Sequence, residues 1–378
     1  MAAYKSVELS RRLRDAEASV TIVMTEASQR FITPLSLETA SQNKVYSSLF
    51  EDPLAHIRLP AEADLIIVAP ATANSIAKFA HGIADDLLST CFLAGTGKKI
   101  IIAPAMNWRM YESPACQRNL DLLRSAGVVQ AGPESGNLAC GEEGIGRMAE
   151  VPEIIDAAIS ALCLKDLAGE KVVVTAGPTR EYIDPVRFIS NRSSGKMGFA
   201  LARVARNRGA AVTLVTGPTS LAQPSGITCI RTETSAEMLS VVKEQVRSGA
   251  TILVMAAAVA DFTPDSPSTT KIDKKELAAL GLRRTEDIIT TISSGDRKPF
   301  IVGFAAETGL NPDRAERKMK EKGMDMVVFN DISASDAGFD VDTNRVIIID
   351  CEGKKELELM SKDDVADAIF NRLLKIKA

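Results

Sequence analysis

The chain has 378 residues, enough for two or three domains with cores of their own. Its 45 basic and 49 acidic side chains leave a net charge of −4 with no block of one sign, so neither nucleic acid nor an anionic membrane is implied as a partner. The apolar runs, such as residues 64–71, are strand-sized and far below the roughly 20 residues of a membrane span.

In chain order, short β-branched runs alternate with longer amphipathic stretches. In the first half the pattern predicts strands over residues 19–24, 64–69, 99–103 and 128–130. Helices are predicted near 3–15, 73–80, 85–94, 114–126 and 151–165, and Asp-Leu-Ala-Gly-Glu at 166–170 reads as a linker. The second half predicts strands over 171–175, 211–216, 227–231, 251–256, 300–304, 326–330 and 346–350. Helices follow near 196–208, 236–247, 286–293, 312–322 and 362–376, and residues 263–270 read as a mobile loop. The fold class is α/β, with two doubly wound, Rossmann-like domains over 1–165 and 171–378, and ligands are expected at strand carboxyl ends and helix N-termini.

Six scattered cysteines without metal-binding spacing fit reduced thiols in a cytoplasmic protein, and two histidines exclude a histidine-rich metal centre. The opening Met-Ala-Ala-Tyr-Lys reads as no signal peptide. His81 reads as an ordinary helix residue.

Residues 185–198, PVRFISNRSSGKMG, place Arg187, Arg192, Lys196, Asn191 and several serines between a buried strand and a helix expected near Ser194. Glycine, hydroxyls and cations gathered at a helix start describe an anion site, with phosphate the leading candidate. A P-loop would need a glycine five positions before the Gly-Lys pair and a hydroxyl directly after it, where Ser190 and Met197 stand. Phe188 and Ile189 beside these polar groups suggest a lined pocket. In the first half, PATANS at 70–75 and PAMNWRMY at 104–111 follow predicted strand ends, which aims Asn74 and Asn107 at one crevice. A glycine-rich flap at 136–148 carries Cys140, as suits a lid over a reactive centre.

These motifs carry a resemblance. His56-Ile57-Arg58-Leu59, PATANS, PAMNWRMY and GNLACGEEGIGRM resemble, in that order, the flavin-dependent cysteine decarboxylase family. PVRFISNRSSGKMG, AAVAD at 257–261, KIDK at 271–274 and VGFAAET at 302–308 resemble the phosphopantothenate–cysteine ligase family. Both in one chain, decarboxylase first, resemble the bifunctional family of bacterial coenzyme A biosynthesis, which implies a flavodoxin-like first domain and a ligase second domain.

The resemblance implies two consecutive reactions. The ligase would activate 4′-phosphopantothenate with CTP, Mg²⁺ accompanying the phosphates, to an acyl-cytidylate that cysteine attacks. Asn191 is then expected to hold the acyl-cytidylate and Arg187 to support that site. Lys271 and Lys274 would face the triphosphate, and Ala257, Asp261 and Phe304 would line the nucleotide pocket. Asp273 stands where the family carries a lysine and weakens the local cationic field. The decarboxylase would use FMN to oxidise the CH₂–SH carbon to a thioaldehyde, so that CO₂ leaves as from a β-keto acid. His56 would act at the oxidative decarboxylation, Asn107 would bind the substrate carboxylate, and Cys140 would donate the proton in the final reduction. Thr25, Asn74, Ser75 and Met106 match positions near the flavin. Decarboxylase trimers and ligase dimers are the implied assemblies.

Relatives carry a central strand and a glycine-rich turn ahead of the equivalent of Ala2, whereas Met1 opens here inside the first helix. The expectation is therefore a protein that keeps ligase activity but binds FMN weakly and decarboxylates poorly. Two other classes compete. An NAD(P)-linked oxidoreductase would need a GxGxxG after a strand with an acidic residue some 20 positions on, which is lacking; a non-catalytic flavoprotein regulator is opposed by His56, Asn107 and Cys140.

Overall fold

Strands buried on both faces read as continuous apolar runs, because a parallel sheet is covered by helices above and below. Lys171–Ala176 and Lys99–Pro104 are buried at every position but the first. The computed structural model describes residues 2–137, 141–273, 279–307, 312–331 and 341–377. The chain forms two compact units, Met1–Cys163 and Leu164–Ala378. Residues 166–170, read from sequence as a linker, pack into the second unit. Leu167 is fully buried, and Asp166 pairs with Arg208 at 2.6 Å.

In the first unit the elements are α1 (Tyr4–Asp15), β1 (Ile22–Val23), α2 (Pro34–Ser41), β2 (Val45–Tyr46), α3 (Ala55–Glu62), β3 (Leu65–Ala71), α4 (Ala73–His81), α5 (Leu87–Ala94), β4 (Lys99–Pro104), α6 (Trp108–Tyr111), α7 (Pro114–Ser125), β5 (Val129–Gln130), β6 (Glu134–Asn137), β7 (Glu143–Arg147) and α8 (Val151–Leu162). Strands β3, β4 and β5 form one parallel sheet with β4 central, and β1 pairs in parallel with β2 alone. The strand expected over 19–24 is thus two residues long, since only β2 supplies it with partners. The apolar run of β3 is largely half-buried, because it is the edge strand of its sheet and a cavity lies beside it. Helices α2 and α3 escaped the periodicity reading. The first starts on a readable signal, Thr33 accepting from Ser36 N with Pro34 at the first turn, whereas α3 carries Pro60 inside it.

The second unit runs β8 (Lys171–Ala176), β9 (Arg180–Tyr182), β10 (Phe188–Ser190), α9 (Lys196–Asn207), β11 (Ala211–Thr216), β12 (Thr228–Arg231), α10 (Ser235–Arg247), β13 (Ile252–Met255), β14 (Phe262–Pro264), β15 (Leu282–Arg284), α11 (Ile288–Ser293), β16 (Phe300–Glu307), α12 (Pro312–Lys322), β17 (Met326–Asp331), β18 (Thr343–Asn344), β19 (Val346–Asp350), β20 (Gly353–Glu356), β21 (Met360–Ser361) and α13 (Lys362–Lys377). The main sheet has the order β12-β11-β8-β13-β16-β17-β19-β20; it is parallel as far as β17 and antiparallel beyond. From β8 the chain winds outward to β12 and then returns to start again at β13. That reversal opens a crevice at the carboxyl ends of β8 and β13, the usual ligand seat of a doubly wound sheet.

Two expectations change here. Residues 263–270 are no free loop: β14 pairs with β15, and Ser268 N donates to Ile183 O at 2.9 Å. Phe188, expected beside a pocket, lies 42% exposed on the β9–β10 hairpin, edge-on to Tyr182 and beneath the Arg180 guanidinium.

Candidate active sites

In the first unit a cavity of about 1700 Å³ runs beside β1 and β3 and is lined by the start of α1. It exceeds the roughly 300–1,000 Å³ of a drug-sized ligand's pocket. Thr25, Asn74, Ser75, Met106 and Asn107 all line it, so five of the residues singled out in this half converge on one space. The convergence has local causes. Thr72 caps α4 by accepting from Ser75 N at 3.2 Å, which sets Asn74 and Ser75 on the first helical turn beyond β3. Asn107 caps α6 beyond β4, its Oδ1 accepting from Arg109 N at 2.9 Å.

The β6–β7 hairpin is fixed to this wall. Met106 N donates to Gly146 O at 3.0 Å, and a Cβ on Gly146, at φ +151°, would lie 2.1 Å from the Met106 carbonyl oxygen. Only glycine admits that approach. Trp108 Nε1 and Arg109 donate to the two oxygens of Glu142, at 2.9 and 2.7 Å. Cys140 itself lies outside the described residues. Among the cysteines that are described, burial pushes Cys91 up to about 11 and raises Cys116 and Cys229, so none of these three is a thiolate at neutral pH.

His56 is not on the cavity wall. It sits in the first turn of α3, its Nδ1 buried without a hydrogen-bond partner among the described residues. Near it in sequence, Phe50, Leu54 and Ile57 are 92, 69 and 54% exposed. His81 ends α4, its Nε2 3.1 Å from Asn119 Oδ1.

In the second unit the loops after β8 and β13 are laced together. Ala258 N donates to Gly177 O at 2.9 Å, Ala260 N to Thr179 Oγ1 at 2.9 Å, and Ala257 N to Thr175 Oγ1 at 3.2 Å. Asn191 Nδ2 donates to Val259 O at 2.9 Å, and Ser190 Oγ to Thr179 O at 2.7 Å, which ties the segment after β10 to both. The helix expected near Ser194 begins at Lys196. Gly195 stands at its N-cap at φ +80° with no side-chain cap, and a Cβ there would lie 3.3 Å from Gly177 N, which sets the positive end of α9 at the crevice end of β8. A Cβ at Gly198 would fall 2.5 Å from Ala176 Cβ, and its absence lets α9 approach the sheet there. Ala257 and Asp261 flank the laced loop, and Phe304 lies on β16, the strand beside β13.

Arg187 is engaged rather than free. Its Nη2 donates to Asp184 Oδ2 at 2.5 Å and to Ile272 O at 2.6 Å. Burial alone would raise the Asp184 carboxyl, but Arg187 and the N–H groups of Val186, Arg187 and Ile272 hold it well below the usual carboxylate range. Lys271 precedes Ile272 and is exposed; Lys274 lies outside the described residues. The sequence reading missed Asp184 and Asn330, both buried. Asn330 sits at the carboxyl end of β17, its Oδ1 buried and unpaired among the described residues. A buried amide in a Val-Val-Phe run was the available signal.

Residues 1–163 match the flavoprotein family, and residues 167–376 match the DNA/pantothenate metabolism flavoprotein C-terminal domain. The class is therefore a two-domain flavoprotein enzyme. Over 99% of this chain, and 94% of the relative, it is 43% identical to the coenzyme A biosynthesis bifunctional protein CoaBC of Bacillus subtilis. The same shares hold, at 41% identity, for the CoaBC protein of Escherichia coli. The chain belongs to the CoaBC family of bifunctional coenzyme A biosynthesis enzymes, with a flavoprotein decarboxylase domain followed by a ligase domain. Among solved structures, the C-terminal domain of a CoaBC protein is 37% identical at a TM-score of 0.48, covering 55% of this chain and 96% of that one. A mutant PPC decarboxylase complexed with pantothenoylaminoethenethiol is 32% identical at a TM-score of 0.37, covering 42% of this chain and 90% of that one.

Proposed function

We propose that residues 171–378 join 4′-phosphopantothenate to cysteine at the expense of CTP, and that residues 1–165 decarboxylate the 4′-phosphopantothenoylcysteine so formed, with FMN. The observation that carries the ligase reading is the lacing of Asn191 to Val259, which brings the amide to the loop of Ala257 and Asp261 after β13, while Arg187 is tied to Ile272, the neighbour of Lys271. Forming the acyl-cytidylate concentrates negative charge on phosphate and carboxylate oxygens. The positive end of the α9 dipole and the ammonium of Lys271 meet that charge. Lys274 is assigned to the same triphosphate, and Asn191 to the acyl-cytidylate during attack by cysteine. Phe304 supplies an apolar wall for the nucleotide. Mg²⁺ is assigned to the nucleotide phosphates, because it prefers phosphate oxygens and water to an all-protein cage.

The residues of the first-unit cavity fit a flavin mononucleotide. No side chain caps the N-terminus of α1, whose first residues line the space, and Thr25, Asn74 and Ser75 add polar donors beside apolar Met24 and Met106. The flavin would supply the reversible two-electron oxidation that the substrate's CH₂–SH carbon requires. Asn107 is assigned to the substrate carboxylate and Cys140 to the proton of the final reduction. His56, off the cavity wall in a segment where Phe50, Leu54 and Ile57 are exposed, is assigned to the cavity of a neighbouring copy in a decarboxylase trimer; ligase dimers complete the assembly. The convergence of Thr25, Asn74, Ser75, Met106 and Asn107, with the match over 99% of the chain, favours both activities over a ligase with an idle first half. Small soluble substrates suit work in the cytoplasm, and no helix among the described residues is long and apolar enough to cross a membrane.

The test is to release the chromophore of the purified protein with heat, identify it by mass, and assay the ligation with CTP against ATP. FMN and CTP-dependent ligation support the reading. A colourless protein whose ligation ignores CTP overturns it.

A further inference from the structure

Asp184 lies in the turn between β9 and β10 with its carboxylate fully buried. Oδ1 accepts from Val186 N and Arg187 N, both at 2.8 Å. Oδ2 accepts from Arg187 Nε at 2.9 Å, Arg187 Nη2 at 2.5 Å and Ile272 N at 3.2 Å. Arg187 Nη2 reaches past the carboxylate to the Ile272 carbonyl at 2.6 Å. Both backbone polar groups of one residue, 88 positions away in sequence, are thus held by one ion pair. A second tie runs from Ser268 N to Ile183 O at 2.9 Å. Lys271 stands between these two anchors. Its own side chain makes no ion pair or hydrogen bond among the described residues.

A buried ion pair seldom repays its desolvation as stability, and its best-attested use is to specify one arrangement out of several. Here the arrangement specified is the path of the chain through Lys271. We propose that the Asp184–Arg187 pair is the positioning device of the triphosphate loop: it fixes the backbone through Ile272 so that the Lys271 ammonium meets the nucleotide phosphates already in place. This rests on the reading of Lys271 as a triphosphate contact. Asp184 touches neither nucleotide nor acyl group; it acts through Ile272. A cation that must be found by a wandering loop loses preorganisation, and a misplacement of about 1 Å costs on the order of 10²-fold in rate.

The experiment is a double-mutant cycle in the full chain, reading pyrophosphate release from 4′-phosphopantothenate and CTP in the absence of cysteine. Asp184→Asn keeps the shape of the side chain but removes the charge that orders Arg187 and one acceptor for Ile272 N. The rate is expected to fall on the order of 10²-fold. In a Lys271→Ala background the same change is expected to cost little more, because the group it positions is gone. An equal fold-loss in both backgrounds, or no loss in either, overturns the proposal and leaves Asp184 a structural residue. Lys271→Ala at the unmodified rate overturns the reading of Lys271 instead, and the proposal with it. If Asp184→Asn does not fold, Arg187→Lys carries the cycle: it keeps the charge but lacks the fork that spans Asp184 and Ile272 O, and the same non-additivity is expected.

Discussion

Asn191 donates its amide to the carbonyl of Val259 at 2.9 Å, so the segment after β10 and the loop after β13 are held together by a side chain assigned to the chemistry. The bond uses one Nδ2 hydrogen and leaves Oδ1 for a ligand. Asn191→Ala is therefore expected to block transfer to cysteine while cytidylate formation persists, because the amide is assigned to the second half-reaction only. Pyrophosphate release without amide product is the signature to be measured. Amide synthesis at the normal rate would remove Asn191 from the mechanism.

Gly146→Ala tests the wall of the first-unit cavity. The added Cβ would lie 2.1 Å from the Met106 carbonyl oxygen, which must move or release the hairpin. Strain of this kind costs on the order of 1–3 kcal/mol. A lower melting temperature is expected, together with reduced retention of flavin colour on gel filtration, while the ligase half-reaction proceeds. Unchanged melting and colour would show that the hairpin does not shape the site.

The Oδ1 of Asn330, buried without a partner among the described residues, points to an opposite effect. A buried acceptor without a partner costs about 1–3 kcal/mol, and Val fits a strand whose neighbours are Val328 and Phe329. Asn330→Val is expected to raise the melting temperature of the ligand-free protein. A fall would mean that the amide is satisfied in solution.

Acid should report on Asp184. Its folded carboxyl is held below the usual range, so the stability it contributes is fully present above the unfolded value of about 3.9 and is lost as pH falls below that value toward the folded one. The stability gap between the parent and Asp184→Asn is expected to be constant near neutrality and to close as pH drops below about 4. Denaturant unfolding at a series of pH values measures it, and a gap that widens in acid would reverse the assignment.

Much of the frame was legible because the strands are unbroken apolar runs. β11, β19 and α12 fall on the residues that periodicity marks out. The first-half residues were legible for a related reason: Asn74, on the first turn of α4, and Asn107, the cap of α6, both follow strand ends, and both line the one cavity. The β9–β10 hairpin was not, since its turn depends on Asp184 finding Ile272, and no local pattern announces a partner 88 residues away. Phe188 misled for the same reason. An aromatic beside cations reads as a pocket wall, but a two-stranded arm leaves it 42% exposed against Tyr182 and Arg180. His56 was legible as a residue and not as a place, because distance from the cavity is a property of the folded unit.

The measurement that bears most directly on the account supplies the purified chain with 4′-phosphopantothenate, cysteine, CTP and Mg²⁺ and follows pyrophosphate and CO₂ separately. Both products are expected, with CO₂ lagging pyrophosphate and neither formed from ligation substrates when CTP is withheld. Addition of ready-made 4′-phosphopantothenoylcysteine should then restore CO₂ alone. Pyrophosphate without CO₂ from either starting point would contradict a decarboxylase in the first unit, and CO₂ from the ready-made substrate without any CTP-dependent pyrophosphate would contradict a ligase in the second.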